Sequence, residues 1–584
     1  MQESNEKEGG RGPLKTLNRS IWIVLALGVS GVATAFGQVP DAPPVDFPYS
    51  GNRTAVWVVA QLHILFAAFI LGAPIFAVVA EWLGYKNNDP KYDRLAKEVI
   101  KVTVILYSMT ALTGGLFIFV LLGTYPDFST WLIKHFFLVF AVIYPLLFIL
   151  ETIILYTYFY SWDSMKGAKK GRHIALGILL NIVGTVTLFV IDGPTSFMNT
   201  PAKAAGDLSL VEFIQTASLW DKMANFSWMP LNLHRLVGNV TFGGFIAGLI
   251  AAYMYMGSKT DEERSYYDWM GFVGNMIGVG ALLLLPFMGY LLAYELCDYD
   301  ASICPYMMAD QLSMFFEMQG AMIGLIFLAS NYYIWLSLKR IQGVEQVRIS
   351  GFVAVVVLLM PALMGYTWKM FPPPEWESLI VLGILVVLPV VLSKVPGLKN
   401  FTVSAFTMIK VGFLMIVVAD AIWMTPHGFV PTQGLATEEL ELPSWASELA
   451  LMPAKNAAAF TLVFLTVVNY LLYNRAIKRG TIVWGKIDFA SQFVLIFLAF
   501  SVIWTMGLMG AVRSLTRKYY HVYNLVPDFT PEAFTPTLAY SAWWITGVTI
   551  VFYAVVSFAI LVTLKAGSPK AVGSPAPSVP VEAK

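Results

Sequence analysis

The stretch QLHILFAAFILGAPIFAVVAEW, from Gln61 to Trp82, decides the fold class. It is apolar and long enough to cross a bilayer, because about 20 apolar helical residues span the hydrocarbon core. It also carries His63 near one end, Gly72 within it and Glu81 near the other end. Ionisable side chains inside a membrane span are costly and usually functional. His63 is therefore a candidate metal, haem or proton ligand, with an interfacial histidine as the simpler interpretation.

The composition of the chain is that of a polytopic membrane protein. Of its 584 residues, 57% are hydrophobic and 13% are charged, and the net charge of +1 gives no sign of nucleic-acid binding. The two cysteines, Cys297 and Cys304, form no CxxCH or CxxC motif, which excludes a covalent c-type haem and gives no sign of an iron–sulfur cluster. Any redox cofactor must be held by the six histidines, by methionines or by carboxylates.

Apolar runs along the chain predict an all-α integral membrane protein, a bundle of about fourteen transmembrane helices. Loops rich in Lys and Arg alternate with longer loops that are poor in them, and the positive-inside rule places the basic loops in the cytoplasm. Both ends of the chain are then expected inside and the long loops outside. The predicted spans are 20–37, 56–84, 97–122, 131–160, 173–192, 230–256, 268–294, 312–338, 349–371, 378–394, 401–424, 458–475, 485–510 and 540–565.

This orientation brings several potential haem ligands to one membrane depth. His63, His135 and His234 lie at the outer ends of their predicted helices, and Met318 lies a short way in from the outer end of its own. Interfaces attract histidine, so chance clustering is the alternative. Two or more haems near the outer face explain the set better.

The spacing of these residues resembles that in subunit I of the cytochrome bd quinol oxidases, over about residues 56–395. Five motifs of the family occur in order. The first is a histidine followed by a glycine nine residues later and a glutamate eighteen residues later, and the second is a glutamate eleven residues before Trp-Asp. The third is a turn ending in M-x-x-P, the fourth is a histidine followed by a glycine nine residues later, and the fifth is F-x-x-M-x-G. Each motif alone is weak, but five in order are specific. Here they are His63, Gly72 and Glu81; Glu151 with Trp162 and Asp163; Ser196–Pro201; His234 and Gly243; and Phe315, Met318 and Gly320.

The resemblance implies a cofactor role for the matched residues. His234 and Met318 would close both axial positions of a low-spin haem b, which suits electron transfer, and Arg235 would pair with a haem propionate. His63 would hold the haem that binds dioxygen in the family, and Glu151 would lie on a proton route to it. Core packing is the alternative for Met318, one of 25 methionines. Two or more haems of type b are implied, with haem d as a further option.

Two departures from the family pattern weaken the case for dioxygen reduction. The family has a second glutamate eight residues before the one that matches Glu151, where this chain has Ile143. The family's glutamate ligand of the high-spin haem aligns with Met370, whose thioether could bind iron but carries no proton. His135, two helical turns before Ile143, is a candidate replacement ligand, with an interfacial histidine as the alternative. Haem binding and dioxygen reduction are thus separate predictions.

The loop that binds quinol in the family is short in this chain. Only seventeen residues, Glu295–Gln311, separate the flanking helices, and Leu312 stands five residues before Glu317, where the family has a quinol-contacting lysine. The donor is therefore either a differently bound quinol or a periplasmic c-type cytochrome that docks on the outer face. Cys297 and Cys304 fall in this loop, and the sequence leaves open whether they form a disulfide or remain free thiols.

The remaining segments complete the predicted organisation. Residues 1–55 hold a signal or anchor helix and an outer segment, 56–395 the haem-binding bundle, 396–566 an additional four-helix membrane region, and 567–584 a disordered cytoplasmic tail. Lys410 and Asp420 are charges inside a span and need partners. The basic outer segment Arg513–Leu538 is a candidate docking surface for an acidic partner, with an ordinary solvated loop as the alternative.

Together these patterns predict a multi-pass haem oxidoreductase subunit of the bacterial cytoplasmic membrane, with its haem side facing the periplasm. Its expected partners are the lipid bilayer, other subunits of a respiratory complex, and the quinol or cytochrome donor. The alternatives are an ion-translocating subunit, with Lys410, Asp420 and Glu151 as its polar path, and a membrane anchor with reduced haem content. A transporter would be expected to show repeats with broken helices at matching positions, and the sequence shows no convincing repeat.

Overall fold

The computed structural model describes residues 45–201, 209–308, 310–367, 400–424, 452–530 and 536–565, with isolated positions between 383 and 396. Within these residues, eleven helices are long and apolar enough to cross a membrane, and Gly351–Thr367 is a shorter apolar helix. This confirms the prediction of an all-α polytopic bundle, although not the number fourteen. The predicted span 20–37, most of 378–394 and the C-terminal tail lie outside the described residues.

The α-helices of the described residues are numbered here in chain order. They are α1 (Asn52–Asn87), α2 (Pro90–Thr124), α3 (Pro126–His135), α4 (Tyr144–Tyr160), α5 (Lys170–Phe197), α6 (Leu210–Thr216), α7 (Leu219–Met223), α8 (Trp228–Gly257), α9 (Asp261–Leu282), α10 (Leu285–Tyr299), α11 (Ile303–Met308), α12 (Ser313–Ser337), α13 (Gly351–Thr367), α14 (Ala405–Trp423), α15 (Met452–Arg479), α16 (Ala490–Leu515) and α17 (Leu538–Ile560).

Several helix starts follow local capping signals. The side chain of Asp89 accepts a hydrogen bond from the backbone N–H of Lys91 at 3.0 Å, and Pro90 fills the first position of α2, where no backbone donor is needed. Thr260 caps α9 in the same way, through the N–H of Glu263 at 3.2 Å. These signals place the starts of long apolar helices in the short polar loops between them.

Two of the predicted spans contain a local irregularity, although each corresponds to one candidate membrane span, Val139–Tyr160 and Asp261–Tyr299. The span 131–160 is divided into α3, a π-helical turn Val139–Ile143, and α4, which carries Pro145 in its first turn. The span 268–294 is divided into α9 and α10, with Pro286 in the first turn of α10. Proline lacks a backbone N–H and clashes with the carbonyl four residues earlier, which breaks or bulges a helix.

Helices α1 and α8 cross at the centre of the bundle through two glycines. A Cβ atom on Gly243 would lie 2.7 Å from the carbonyl oxygen of Gly72, and a Cβ on Gly72 would overlap the carbonyl oxygen of Asn239. The two backbones are therefore in direct contact, which only glycine allows. Helices α5, α9, α10 and α16 pack around α8, while α2, α5 and α17 pack on α1.

The last two helices belong to the same packed core. Helix α16 packs against α8 and α12, and α17 packs against α16 and α1. Phe552 of α17 is fully buried and contacts Phe66 of α1 and Phe242 of α8, with ring centroids 4.8 Å and 6.0 Å apart. Helices α12 to α15 form a neighbouring group that joins this core through α12 and α16.

The loops gather at two opposite ends of the bundle. The basic end holds the Lys- and Arg-rich loops that follow α1, α4, α12 and α15, and the histidine end holds His63, His135 and His234. Short antiparallel strand pairs tie the loops at each end. The strands are β1 (Ile341–Gln342), β2 (Arg348–Ser350), β3 (Thr402–Ser404), β4 (Thr481–Ile482), β5 (Tyr520–Val522) and β6 (Val526–Pro527), with β1 pairing β4 (Ile341 opposite Ile482), β2 pairing β3 (Ile349 opposite Val403) and β5 pairing β6 (Val522 opposite Val526).

Candidate haem-binding site

His63 lies on α1 and faces α2. Its Nδ1 atom lies 3.1 Å from the carbonyl oxygen of Thr110 and 3.4 Å from the hydroxyl of Thr113. A Cβ on Gly114 would lie only 2.9 Å from the ring, so the ring packs directly over this glycine. A histidine whose one ring nitrogen donates to a backbone carbonyl presents the lone pair of the other nitrogen, which is how most histidine metal ligands are held. Nε2 of His63 therefore has the chemistry of an axial ligand.

His234 lies on α8 and faces α10. A Cβ on Gly289 would lie 3.5 Å from its Cε1 atom and 3.6 Å from Nδ1. Nδ1 is buried and has no hydrogen-bond partner among the described residues. Buried polar atoms without partners are rare in native proteins and call for a missing ligand, ion or water. Coordination to a haem iron is one interaction that would satisfy this nitrogen.

The two histidines occupy equivalent positions relative to the crossing of α1 and α8. His63 stands nine residues before Gly72, and His234 stands nine residues before Gly243. Nine residues of α-helix correspond to about 13.5 Å of rise and about two and a half turns. The histidines therefore share one depth, and each lies on the face of its helix that points away from the crossing. The two rings therefore point away from each other, and they do not face a common space between α1 and α8.

Met318 lies near the start of α12, with 36% of its surface exposed. The principal neighbours of α12 are α16, α14 and α15, whereas those of α8 are α9, α1, α16 and α10. Helix α16 thus lies against both the helix of Met318 and the helix of His234. The predicted His–Met pair would have to be completed across a gap between helices that are not principal packing partners.

Arg235 forms an ion pair with the buried carboxylate of Asp192 on α5. The Oδ2 atom of Asp192 has no hydrogen-bond partner among the described residues. The arginine expected to meet a haem propionate is thus partly neutralised by a carboxylate that the sequence reasoning missed. Its position at the end of the apolar run 173–192 was the available signal, because an ionisable residue there is costly.

Glu151 is buried on α4, with 5% of its surface exposed, and faces α5. A Cβ on Gly184 would lie 3.0 Å from its Oε1 atom. Among the described residues, no hydrogen bond reaches the carboxyl group. Nearby, the hydroxyl of Tyr107 lies 2.5 Å from that of Thr152. The carboxyl therefore stands in the interior beside hydroxyl groups, a setting compatible with the predicted proton route.

The two remaining ligand candidates are His135 and Met370. His135 ends α3, and its ring centroid lies 4.5 Å from that of Trp131. Burial, followed by the neighbouring charges of Lys222 and Lys134, lowers the pKa of His135 below its usual range, so the ring is neutral near pH 7. Met370 lies outside the described residues.

A polar cluster that sequence reasoning missed lies at the basic end of α1. Glu81 is fully buried and accepts hydrogen bonds from the Tyr158 hydroxyl at 2.5 Å, from His173 Nδ1 at 2.5 Å and from Lys170 Nζ at 2.6 Å. Lys170 also pairs with Asp93. In the sequence, Glu81 was informative only through its spacing to His63, because its hydrogen-bond partners come from distant helices. The cluster joins α1, α2, α4 and α5 at the end opposite His63.

Two open predictions concern the loops at the histidine end. Cys297 and Cys304 form a disulfide, with their Cα atoms 5.2 Å apart. In the basic segment after α16, the side chain of Arg517 turns inward. Arg517 donates to the backbone oxygen of His521 at 3.1 Å, and burial lowers the pKa of Arg517 to about 9 and that of His521 to about 4.

The predicted intramembrane charges of α14 have different surroundings. Lys410 lies 4.0 Å from the ring centroid of Phe406, one turn earlier on the same helix. Asp420 is buried, its Oδ1 atom closely approaches Gly324 of α12, and neither oxygen has a hydrogen-bond partner among the described residues. The two residues are not an ion pair, as the helical spacing predicts.

Comparisons with known proteins relate the whole bundle to one family. Residues 52–569 match the family described as cytochrome bd terminal oxidase subunit I. The match continues past residue 395, where the motif resemblance ends, through α14 to α17. A Bacillus subtilis (strain 168) protein provisionally described as a cytochrome bd menaquinol oxidase subunit I is 27% identical over 205 residues, which cover 35% of this chain and 44% of that relative. The chain thus aligns with less than half of the relative's length.

A solved structure is also similar to this chain. It is described as the structure of bd oxidase from Geobacillus thermodenitrificans, and it is 13% identical with a TM-score of 0.45, covering 88% of this chain and 98% of that one. A TM-score at this level supports no structural argument. The family match, in contrast, covers most of the chain. This protein therefore belongs to the cytochrome bd terminal oxidase subunit I family.

Proposed function

We propose that this chain is a haem-binding subunit of a membrane oxidoreductase that takes electrons from a quinol or a periplasmic cytochrome and passes them through two haems at the histidine end. Family membership supports a multi-pass membrane oxidoreductase that binds haem and works with quinol and other subunits. The observation that carries the finer proposal is the equivalent placement of His63 and His234, nine residues before the glycines of one helix crossing.

The residues fit an axial haem ligand in three respects. Each histidine packs against a glycine, Gly114 or Gly289, which leaves the ring space that a larger side chain would fill. Each ring has a nitrogen that is free to ligate. In His63 it is Nε2, because Nδ1 is engaged by Thr110. In His234 it is Nδ1, which has no hydrogen-bond partner among the described residues. Haem iron needs only one or two axial protein ligands, so histidines that stand singly suffice.

Each residue near the histidine end then has a stated role. His63 would hold one haem, and His234 would hold the other, with Met318 as its second ligand. A bound haem iron supplies one-electron transfer. Arg235, fixed by Asp192, would offer its remaining N–H groups to a haem carboxylate. Haem b is the expected type, and haem d is the alternative.

Dioxygen reduction is kept separate from haem binding in this proposal. Ile143, which replaces the family's second glutamate, lies in the π-helical turn before α4 and supplies neither charge nor proton. Glu151, which is buried on α4, is the carboxyl that would deliver protons to the haem of His63. Oxygen uptake with a quinol donor is the measurement that decides whether the haem of His63 reduces dioxygen.

The membrane orientation is part of the same proposal. The basic end would face the cytoplasm under the positive-inside rule, so the histidine end would face the periplasm of a bacterial cytoplasmic membrane. The Cys297–Cys304 disulfide lies in a loop at the histidine end, and an oxidising compartment favours its formation. A donor on the outer side would then meet the haems without crossing the membrane.

The test is a dithionite-reduced minus oxidised spectrum of the purified full-length protein, expressed with a supply of haem. We expect b-type bands in the wild type and the loss of the low-spin component in His234→Ala. A wild-type protein with no haem band would refute the proposal. An unchanged spectrum in His234→Ala would favour the membrane-anchor alternative for this site.

A further inference from the structure

We propose that a quinol binds with its ring in a cavity at the histidine end, between the start of α1, the end of α16 and the start of α17, rather than in the loop after α10. This inference deepens the proposed function, on which it rests, by assigning a site to the donor. The cavity has a volume of about 820 Å³. It is lined by nine residues between Asp46 and Trp57, by Ala511, Ser514 and Leu515 of α16, and by Pro536, Tyr540, Ser541 and Trp544.

The size and position of the cavity suit a lipid-soluble ring. Small-molecule sites typically have volumes of about 300–1,000 Å³ and mostly apolar walls. The cavity lies at the ends of three spanning helices, where aromatic residues mark the membrane interface. Trp543, which precedes the lining residue Trp544, is 80% exposed, as expected of an interfacial anchor. A quinol with its tail in the bilayer can reach this depth without entering water.

The walls of the cavity combine aromatic surfaces with a few fixed polar groups. Trp57 and Trp544 supply flat faces against which a ring can stack. The hydroxyl of Tyr540 donates to the carbonyl oxygen of Ser50 at 3.0 Å and lies 3.3 Å from the hydroxyl of Thr54. These hydroxyls can exchange hydrogen bonds with the two hydroxyl groups of a quinol.

The charges in the cavity favour a neutral ligand over a phosphate. Arg53 lines the wall, but its guanidinium donates to the carbonyl oxygens of Ser514 at 3.2 Å and Lys518 at 2.9 Å, at the end of α16. Asp46 also lines the cavity, so its lining residues carry one formal charge of each sign. An uncharged ring diol needs no positive charge in the wall, whereas a phosphate does.

The loop after α10, in contrast, is filled by its own side chains. The disulfide between Cys297 and Cys304 closes it into a short turn. Ile303 and Met307 of α11 are each only 1% exposed and pack in a core with Leu508 of α16. A loop whose apolar side chains are already buried in the protein presents little surface to a ligand. The structure therefore favours the cavity as the donor site.

The cavity is also close to one of the proposed haem ligands along the chain. Trp57 stands six residues before His63 on α1. Six residues of α-helix rise about 9 Å. A ring beside Trp57 would thus lie less than two turns outward of the level of His63, on the same rigid helix.

The test is photolabelling of the purified full-length protein in detergent with 3-azido-2-methyl-1,4-naphthoquinone, followed by peptide mass spectrometry. We expect labels that menadione competes away on residues 46–57 or 540–544. Competed labels confined to residues 295–312, or no competed label at all, would overturn the inference. The latter result includes the case in which lipid or another segment of this chain fills the cavity.

Matched variants give a second measurement. Trp544→Leu removes one aromatic wall, and we expect menadione to bind about tenfold more weakly by equilibrium dialysis, since stacking and lost burial amount to roughly 1.4 kcal/mol. Trp543→Leu, which alters the exposed neighbour, should bind within about twofold of the wild type. Equal affinities in the two variants would overturn the inference. Because binding is read without haem, a missing haem spectrum would refute the proposed function alone.

Discussion

Substituting Gly243 by alanine tests the helix crossing that places both histidines. The new Cβ would lie 2.7 Å from the Gly72 carbonyl oxygen, 2.8 Å from its carbon and 3.3 Å from the Ala73 nitrogen. Ordinary Cβ contacts lie at 3.4 Å or more. Helices α1 and α8 would therefore have to separate by several tenths of an ångström. Overpacking of this kind costs about 1–3 kcal/mol, and here the obstructing atoms are backbone, so we expect the upper half of that range.

The assay is thermal unfolding in detergent, with haem content measured on the same samples. We expect Gly243→Ala to unfold at a lower temperature and to retain less haem, because both ligand helices shift. Gly280→Ala and Gly115→Ala are matched controls, since a Cβ at either position meets nothing within 4 Å. Both controls should be neutral or stabilised by up to about 1 kcal/mol. If Gly243→Ala is as stable as these controls and keeps its haem, the crossing does not position the site as argued.

Three further predictions concern other parts of the bundle. Glu81→Gln removes the buried carboxylate that Tyr158, His173 and Lys170 share, while Lys170 keeps Asp93, so it should cost about 1–3 kcal/mol in unfolding free energy. Asp163→Asn, which breaks exposed pairs, should change it by less than about 1 kcal/mol; similar losses in both variants would contradict the buried cluster. The pKa of His521 is about 4 in the folded protein and about 6.5 in the unfolded chain, so its contribution to stability is present above pH 6.5 and is lost as the pH falls toward 4. His521→Phe should flatten this part of the pH–stability curve measured by thermal unfolding. An unchanged curve would exclude His521 as a source of the pH dependence. Met318→Leu should convert a low-spin haem spectrum to high-spin, whereas Met314→Leu, on the same helix and 60% exposed, should not; a low-spin spectrum in both would remove Met318 from the ligand set.

The helices were predictable because twenty-residue apolar runs have few alternatives in a membrane. Their interruptions were harder to predict. Pro74 lies inside the continuous helix α1, whereas Pro145 and Pro286 stand at helix starts that follow a break. The presence of a proline does not predict whether the helix continues, with neighbouring helices satisfying the carbonyl that has lost its hydrogen bond, or ends there. That outcome depends on tertiary packing, which single-chain periodicity does not contain.

The shared depth of His63 and His234 also followed from the sequence, since loop charge sets the direction of each helix. The faces on which they lie did not follow from it. The nine-residue spacing to Gly72 and Gly243 becomes informative only when the two glycines are known to touch. Once this contact is known, the nine-residue spacing shows that the two histidine rings point away from each other.

The polar partners were the least predictable part of the site. Asp192 meets Arg235 from another helix, and Glu81 gathers Tyr158 and His173 from two more. Each of these pairs joins residues more than forty positions apart, and no local pattern connects them. The disulfide between Cys297 and Cys304 was easier to anticipate, because only two cysteines exist and they lie seven residues apart.

The haem stoichiometry of single-histidine variants tests the central claim most directly. Haem per polypeptide is measured by the pyridine haemochrome method in the wild type, His63→Ala, His234→Ala and the double variant, all purified under one protocol with haem supplied. The two-site geometry predicts two haems in the wild type, one in each single variant and none in the double variant. Loss of both haems in either single variant, with the fold intact by circular dichroism, or no loss in either, would contradict two separate sites on the outward faces of α1 and α8.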